Sequence, residues 1–185
     1  MNEKEKQRQS AKLARSAMGK VERERKSALA VERIIDHPSF RDARMILSYF
    51  AFSSELDVNA LDRIAQNTGK QVAYPICDAI GGMVAVLPFQ IDHIVDRYGI
   101  KEPKLNESKV IMPSQIDLVI VPGVAFGKDM MRVGWGKGYY DRYLPLCNKA
   151  FRMAVCFEEQ FFDSVAHSAW DTPMNAIATD FALYR

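Results

Sequence analysis

A glycine-rich segment with two cations is the part of this 185-residue sequence whose residue types best suit phosphate chemistry. Five of the ten glycines lie between Gly123 and Gly138, and Arg132 and Lys137 lie among them and are expected to share one turn. Glycine lets the backbone adopt positive φ and lets its N–H groups approach an anion closely, while the two cations supply positive charge. The segment therefore predicts a phosphate site. From these residues alone, a tight glycine turn with incidental charges is the alternative.

Two common phosphate motifs do not describe this segment. A Walker A loop places Ser or Thr directly after its lysine, whereas Gly138 follows Lys137. A dinucleotide fingerprint needs a third glycine where this chain has Tyr139. The residues thus indicate an anion site that neither motif names.

The elements around the segment predict an α/β fold. The segment leaves a buried strand pattern at 116–122 and enters a helix at Tyr139, and open α/β sheets bind their ligands at the carboxyl ends of such strands. Residues 1–36 predict two helices broken near Gly19, and 59–66 predicts another. Further strand patterns lie at 44–51, 70–75, 83–89, 152–157 and 177–184, and those at 70–75 and 83–89, joined through Gly81-Gly82, predict a hairpin. We expect a mainly parallel central sheet with the N-terminal helices packed on it, and a loop with at most a short helix over 92–113.

Charge and composition exclude several classes of protein. Lys and Arg number 25 against 23 Asp and Glu, so the chain is not an overtly basic nucleic-acid binder. Residues 1–33 nevertheless hold ten basic and five acidic side chains, which indicates either a solvated helix face or a phosphate contact; on charge alone the solvated face is favoured. With 48% hydrophobic residues, we expect one domain over 1–185.

Location and cysteine chemistry follow from what the sequence lacks. It has no apolar run of the roughly 18 to 20 residues that cross a bilayer and no apolar signal region near its first residues, so we expect a cytoplasmic protein without a membrane partner. Cys77, Cys147 and Cys156 form no C-x-x-C pair and are predicted to be buried thiols.

The glycine-rich segment also resembles a known family. Pro122-Gly-Val-Ala-Phe126, followed by Arg132-Val-Gly-Trp-Gly-Lys-Gly-Tyr-Tyr-Asp-Arg-Tyr-Leu144, is similar to the signature of 5-formyltetrahydrofolate cyclo-ligases. The similarity extends along nearly the whole chain, through a basic pair near the N-terminus, a Phe-Ser-Ser-Glu-Leu-Asp stretch and a C-terminal block that ends at Asp171. It implies a three-layer αβα fold.

The resemblance implies an activity and its cofactors. Family members join N5-formyl and N10 of 5-formyltetrahydrofolate into the 5,10-methenyl ring, with ATP hydrolysed to ADP and phosphate in the presence of Mg²⁺. The formyl oxygen attacks the γ-phosphoryl group, N10 attacks the activated carbon, and phosphate leaves. The implied partner is the small-molecule substrate, with no nucleic acid, and we expect a monomer.

The resemblance also assigns site residues. It implies nucleotide contacts from Lys4, Arg8, Arg132, Val133, Gly134, Trp135, Gly136, Lys137, Gly138, Tyr139 and Tyr140. It implies folate contacts from Phe50, Glu55, Trp135 and Tyr140. Asp141 and Asp171 are the implied Mg²⁺ ligands, and Arg132, Lys137 and Tyr140 the implied catalytic residues.

Simpler interpretations of these residues remain open at this stage. Taken alone, Asp141 is a carboxylate favoured by a helix N-terminus, and Glu55 is a solvated loop residue. The sequence departs from the family pattern at Gly127, Met131 and Asn175, and also at Asp180. A divergent nucleotide-binding paralogue with another substrate and a non-enzymatic nucleotide or RNA binder are therefore the alternative functions.

Overall fold

The structure is a computed structural model, and it describes residues 2–89, 93–95 and 101–185. Its helices are α1 (Glu3–Ala17), α2 (Lys20–Ile35), α3 (Pro38–Asp42), α4 (Asn59–Asn67) and α5 (Tyr139–Tyr143). Asn2 caps α1 by accepting a hydrogen bond from Glu5 N, and the predicted break at Gly19 separates α1 from α2. The unpredicted α3 begins at Pro38, because proline is tolerated in the first turn of a helix. Among the described helices, none has the length and apolarity that crossing a membrane requires.

The described residues also form thirteen strands. They are β1 (Met45–Leu47), β2 (Gln71–Cys77), β3 (Met83–Pro88), β4 (His93–Val95), β5 (Lys101–Pro103), β6 (Ser108–Ile111), β7 (Leu118–Val121), β8 (Ala125–Gly127), β9 (Arg132–Val133), β10 (Phe151–Val155), β11 (Phe161–Phe162), β12 (Ala176–Ala178) and β13 (Leu183–Tyr184). Four 3₁₀ turns cover Leu105–Glu107, Pro113–Gln115, Leu144–Leu146 and Glu158–Gln160.

Eight of these strands form the central sheet, in the order β13-β12-β10-β7-β1-β2-β3-β6. Strands β12, β10, β7, β1 and β2 are parallel neighbours, whereas β13 at one edge and β3 and β6 at the other are antiparallel. The prediction of a mainly parallel central sheet is confirmed. The predicted hairpin of β2 and β3 also forms, with Tyr74 opposite Val86.

Alternation along the buried strands creates two hydrophobic layers. In β7, Leu118 and Ile120 face the core that α2 and α4 cover, while Val119 and Val121 face a second core that contains Leu144. Helices therefore lie on both sides of the sheet, although the second helical layer consists only of α5 and the 3₁₀ turn after it. This is the expected three-layer αβα arrangement.

Three further regions differ from the sequence prediction. Strands β4, β5 and β6 lie within the stretch predicted as loop, since short edge strands show little periodicity; residues 92 and 96–100 of that stretch lie outside the described residues. The predicted last strand at 177–184 is two antiparallel strands, turned where Thr179 N donates to Ala182 O. A small sheet, β11-β8-β9, was not predicted; β8 and β9 lie between β7 and α5 in the chain, and β11 follows β10.

Candidate active site

A cavity of about 700 Å³ opens at the carboxyl ends of the parallel strands. Tyr49 and Phe50 follow β1, Cys77 and Asp78 lie at the end of β2, and Pro122 follows β7; all five line the cavity. The chain passes from β1 to β2 on one side and later returns to the other side of β1 in β7. Such a reversal of strand order leaves a crevice beyond the strand ends, which is where doubly wound sheets bind ligands.

The cavity brings together all of the site residues predicted from the sequence. Its lining includes Lys4, Arg8, Phe50, Glu55, Arg132, Val133, Gly134, Trp135, Gly136, Lys137, Gly138, Tyr139, Tyr140, Asp141 and Asp171. They come from the two ends of the chain as well as from its middle. Their roles toward a ligand remain predictions.

The glycine-rich segment forms one wall, with a geometry that differs in part from the prediction. Gly136 and Gly138 adopt φ of 94° and 69°, as expected for a left-handed turn, but Gly134 does not have positive φ. A Cβ on Gly134 would lie 2.7 Å from Arg132 Nη1, so a side chain there would require the guanidinium to shift. The prediction that Arg132 shares a turn with Lys137 is wrong, because Arg132 lies on β9. The β8–β9 hairpin was not anticipated from the sequence.

Arg132 is a buried cation that faces this cavity. Its residue is 5% exposed, and its Nη2 donates to Asp141 Oδ1 at 2.7 Å. Burial lowers the pKa of Arg132, and the charge of Asp141 opposes that shift, so the guanidinium remains charged at neutral pH. Arg132 Nε and the Tyr140 hydroxyl are buried with no hydrogen-bond partner among the described residues. These two polar atoms are therefore able to form hydrogen bonds with a bound ligand.

Helix α1 closes the cavity from the opposite end of the chain. Lys4 Nζ donates to Asp171 Oδ2 at 2.6 Å, and Arg8 Nε donates to Gly134 O at 2.8 Å. Burial acts to raise the pKa of Asp171, but the hydrogen bonds from Lys4 and Ser168 outweigh it, and the pKa of that carboxyl is lowered. Two cations of α1 therefore contact the cavity wall, whereas the charge pattern alone favoured a solvated helix face.

A second wall combines a carboxylate with aromatic rings. Glu55 accepts from Trp135 Nε1 at 2.8 Å and from Phe52 N at 3.0 Å. Phe52 also meets the Trp135 ring edge-on, with centroids 6.1 Å apart. Phe50 stacks on Tyr74 at 4.3 Å with nearly parallel planes. A flat heterocycle with N–H donors would find both stacking surfaces and an acceptor on this wall.

The charges that line the cavity are mixed rather than purely positive. Among the described lining residues, four are cationic and five are acidic: Lys4, Arg8, Arg132 and Lys137, and Glu55, Asp78, Glu102, Asp141 and Asp171. The sequence interpretation had assigned the four cations to the nucleotide and had included Glu55, Asp141 and Asp171, but it had left out Asp78 and Glu102. A polyphosphate would meet these carboxylates at short range, which favours a divalent cation between them.

The metal prediction can be tested against the donors present. Within residues 2–89, 93–95 and 101–185, no group of three or more His, Cys, Asp or Glu side chains could hold a metal ion by itself. Asp141 and Asp171 line the same cavity, and each accepts a hydrogen bond from a cation, Arg132 and Lys4 respectively. Two carboxylates without a full protein cage suit Mg²⁺, which is commonly bound by one or two carboxylates together with phosphate oxygens. The donor set therefore fits the ion.

Several lining residues were not predicted from the sequence. They are Tyr49, Phe52, Pro75, Cys77, Asp78, Ala79, Glu102 and Pro122. Apart from Glu102, they lie near or just beyond the carboxyl end of a parallel strand, and this position is the signal that could have identified them. Glu102 belongs to β5, and its Oε1 accepts from Cys77 N at 3.1 Å. The prediction of three buried thiols is wrong for Cys77, which is only partly buried, and right for Cys147 and Cys156.

The departures from the family pattern lie outside the cavity lining. Gly127, Met131, Asn175 and Asp180 do not belong to the described residues that line it. Asn175 Oδ1 accepts from Arg152 N at 2.8 Å, and Asp180 Oδ1 accepts from Glu158 N at 2.8 Å. Both side chains thus hold neighbouring backbone in place.

Comparison with known proteins assigns the family. A family model described as the 5-formyltetrahydrofolate cyclo-ligase family matches residues 1–180. The chain belongs to the 5-formyltetrahydrofolate cyclo-ligase family. The resemblance carried by the glycine-rich segment is thereby confirmed.

Individual cyclo-ligases are similar over most of their length. The 5-formyltetrahydrofolate cyclo-ligase of Escherichia coli (strain K12) is 29% identical over 155 residues, which cover 81% of this chain and 85% of the relative. That of Haemophilus influenzae is 31% identical over 139 residues, covering 72% and 74%. The NMR structure of Aquifex aeolicus 5,10-methenyltetrahydrofolate synthetase superposes with a TM-score of 0.86 at 27% identity, covering 98% of this chain and 92% of that one. The cyclo-ligase fold therefore extends over nearly the whole chain.

Proposed function

We propose that this protein is an ATP-dependent 5-formyltetrahydrofolate cyclo-ligase that forms 5,10-methenyltetrahydrofolate and releases ADP and phosphate. The observation that carries the proposal is one cavity that is lined both by the cationic glycine-rich segment and by aromatic rings and a carboxylate, in a chain of this family. One wall suits a polyphosphate and the other suits a pteridine ring.

The nucleotide half uses cations and backbone donors. Lys4, Arg8, Arg132 and Lys137 line it, and the turn at Gly136 and Gly138 presents backbone N–H groups to an anion. Val133, Gly134 and Tyr139 complete this wall. In phosphoryl transfer, positioning and charge neutralisation supply most of the rate enhancement, so these groups suffice without a covalent catalyst.

The folate half uses Phe50, Glu55, Trp135 and Tyr140. Glu55 would accept hydrogen bonds from pteridine nitrogens, since an ionised carboxylate has about four acceptor sites and Trp135 and Phe52 each use one. The Trp135 and Phe50 rings offer faces for stacking. The Tyr140 hydroxyl, buried without a partner among the described residues, is available to the reacting groups.

The chemistry we propose proceeds in two steps. The formyl oxygen attacks the γ-phosphorus, an O–P bond forms, and the bond to the bridging oxygen breaks so that ADP leaves. N10 then attacks the formyl carbon and loses its proton, a C–N bond forms, and the C–O bond breaks so that phosphate leaves. Arg132, Lys137 and Tyr140 act as the catalytic residues by stabilising charge that develops on the transferred oxygens.

Asp141 and Asp171 are the proposed ligands of Mg²⁺. The ion supplies neutralisation of the phosphate charge when it is bound. Arg132 and Lys4 hold the two carboxylates in place through bonds of 2.7 and 2.6 Å. Phosphate oxygens of the nucleotide would complete its coordination.

Purified protein with 5-formyltetrahydrofolate and Mg-ATP tests the proposal. We expect an absorbance band of the methenyl product that requires both ATP and Mg²⁺. ATP hydrolysis without methenyl product would favour a divergent nucleotide-binding paralogue instead. Salt-sensitive RNA binding without turnover would favour a non-enzymatic binder.

Three further expectations are proposed with this function. The chain would act as one domain over 1–185, an extent supported by the central sheet, which takes strands from Met45 to Tyr184. The cytoplasmic location and the monomeric state stay predictions from the sequence.

A further inference from the structure

Arg15, near the C-terminal end of α1, is a buried cation just behind the cavity wall. The residue is only 2% exposed, and its Nε donates to Ser54 Oγ at 3.0 Å. Its Nη1 is buried with no hydrogen-bond partner among the described residues. Burial lowers the pKa of Arg15, because a guanidinium loses its hydration there. A cation in this position needs compensating neighbours.

Those neighbours are two residues of the folate wall. Arg15 Cζ lies 5.4 Å from the centroid of the Trp135 ring, within the range of a cation–π contact. The negative charge of Glu55 opposes the lowering of the Arg15 pKa. Trp135 in turn donates to Glu55 at 2.8 Å. Trp135 therefore contacts both Arg15 and Glu55, and Arg15 interacts with Glu55 electrostatically. Helix α1, the loop before α4 and the glycine-rich segment each contribute one of these three residues.

Other charged and titratable groups surround Glu55. Tyr49 and Tyr140 interact with it electrostatically, and Lys12 Nζ lies 4.6 Å from the Trp135 ring centroid. A small second cavity shares Glu55 with further charged residues, namely Lys20, Arg23, Glu24 and Asp57. Burial raises the pKa of Glu55, while hydrogen bonds from Phe52 and Trp135 and the charge of Arg15 oppose that rise. Arg15 is thus the cation that favours the ionised form of Glu55.

We propose that Arg15 is a positioning residue that fixes the Glu55 carboxylate and the Trp135 ring at the folate wall of the cavity. Arginine suits this role better than lysine, because its planar guanidinium can face an aromatic ring while its edge donates to Ser54. The effect on substrate affinity rests on the proposed function, in which Glu55 and Trp135 contact the pteridine ring.

The arrangement also gives α1 contact with both halves of the cavity. Lys4, Arg8 and Arg15 are spaced by four and seven residues, which places them along one face of a helix with 3.6 residues per turn. Lys4 and Arg8 contact the nucleotide wall, and Arg15 lies behind the folate wall. Changes at Arg15 should therefore affect the folate half selectively.

The experiment compares Arg15→Met and Arg15→Lys with Lys26→Met. Lys26 is a matched control, since it is also a buried cation at 8% exposure but pairs with Glu159 and Asp180 and does not line the cavity. Carboxyl ¹³C NMR in the free protein follows the titration of Glu55, assigned with Glu55→Gln. Steady-state assays give KM for 5-formyltetrahydrofolate and for ATP, and urea denaturation gives stability.

For Arg15→Met, we expect the pKa of Glu55 to rise by about one unit. KM for 5-formyltetrahydrofolate should rise about tenfold and KM for ATP less than about twofold, as expected when one charged contact is lost. The acid limb of kcat/KM for folate should move to higher pH. Arg15→Lys should recover part of each change, and Lys26→Met should lower stability without moving the Glu55 titration.

An unchanged Glu55 titration in Arg15→Met would overturn the proposal. The proposal would also be overturned if Arg15→Met raised KM for 5-formyltetrahydrofolate and KM for ATP equally and lost as much stability as Lys26→Met. That pattern would indicate a purely structural role for Arg15. If Arg15→Met does not fold, Arg15→Lys decides by the same readouts. The NMR titration needs no substrate, so a wild-type protein that makes no methenyl product would refute the proposed function and still leave the Glu55 result to decide about Arg15.

Discussion

Lys4 and Asp171, which are 167 residues apart in the sequence, meet at the cavity with Lys4 Nζ 2.6 Å from Asp171 Oδ2. The contact joins the first turn of α1 to the loop before β12. Both ends of the chain therefore contribute a charged group to one site. The pair also holds in place one of the two carboxylates proposed for Mg²⁺.

Lys4→Met should weaken nucleotide binding with little loss of stability. The side chains are partly exposed, at 30% and 12%, so breaking the pair should cost less than about 1 kcal/mol of unfolding free energy. Loss of the cation beside the polyphosphate should raise KM for ATP about tenfold. Lys6→Met is the matched control, because Lys6 lies on the same helix and pairs only weakly with Glu3 at 3.8 Å. Equal KM values for the two variants would show that Lys4 does not contact the nucleotide.

Lys137→Met tests the glycine-rich wall most cleanly. Lys137 is exposed, lines the cavity and has no ion pair among the described residues, so folding should not depend on it. We expect kcat/KM to fall about 10²- to 10³-fold, the usual effect of losing a group that stabilises transition-state charge. Lys149→Met, at an exposed lysine outside the cavity lining, should retain wild-type kinetics. Arg132→Ala should also lose most of its activity, but with a stability loss, because Arg132 is buried.

Gly136→Ala separates backbone strain from a specific effect on the site. Gly136 has φ of 94°, and a Cβ there would lie 3.4 Å from Arg8 Nη2. Gly69, with φ of 79° and no atom within 4 Å of an added Cβ, is the matched control. Both alanine variants should lose about 1–2 kcal/mol of stability from left-handed backbone strain. Only Gly136→Ala should raise KM for ATP, and a similar rise in Gly69→Ala would contradict a local role of the turn.

Asp62 should make stability fall as pH rises. It is a buried residue of α4 that accepts a hydrogen bond from the Tyr74 hydroxyl of β2 at 3.0 Å, and burial raises its pKa from 3.8 to about 6. The protonated form is thus favoured in the folded state, and that contribution is lost between the unfolded and folded pKa values. Urea denaturation should show the wild type losing about 2 kcal/mol relative to Asp62→Asn between about pH 4.5 and pH 8. If the unfolding free energies of the two proteins changed in parallel with pH, the predicted effect of Asp62 would be refuted.

The local elements that the sequence predicted well are those with strong periodicity or clear breakers. The buried run of β7, the two N-terminal helices around Gly19 and the β2–β3 hairpin all form as expected. The cavity position at the strand ends also follows from the sequence, since parallel strands place their carboxyl ends at one edge.

The remaining features depend on tertiary contacts that no local pattern encodes. The short strands β8 and β9 place Arg132 in a buried pair with Asp141, where a turn was expected. In the sequence, Arg15 cannot be distinguished from the other cations of α1. In the structure it is buried behind Trp135, close to the site. Such roles require the packing of α1 against distant segments.

The most direct test of the account is the stoichiometry of the proposed reaction. Purified protein is mixed with 5-formyltetrahydrofolate, Mg²⁺ and a limiting amount of ATP, and both the methenyl absorbance and the released phosphate are followed. One methenyl product formed for each phosphate released is the predicted result. Phosphate release without methenyl product, or no ATP-dependent change at all, would contradict the proposed function.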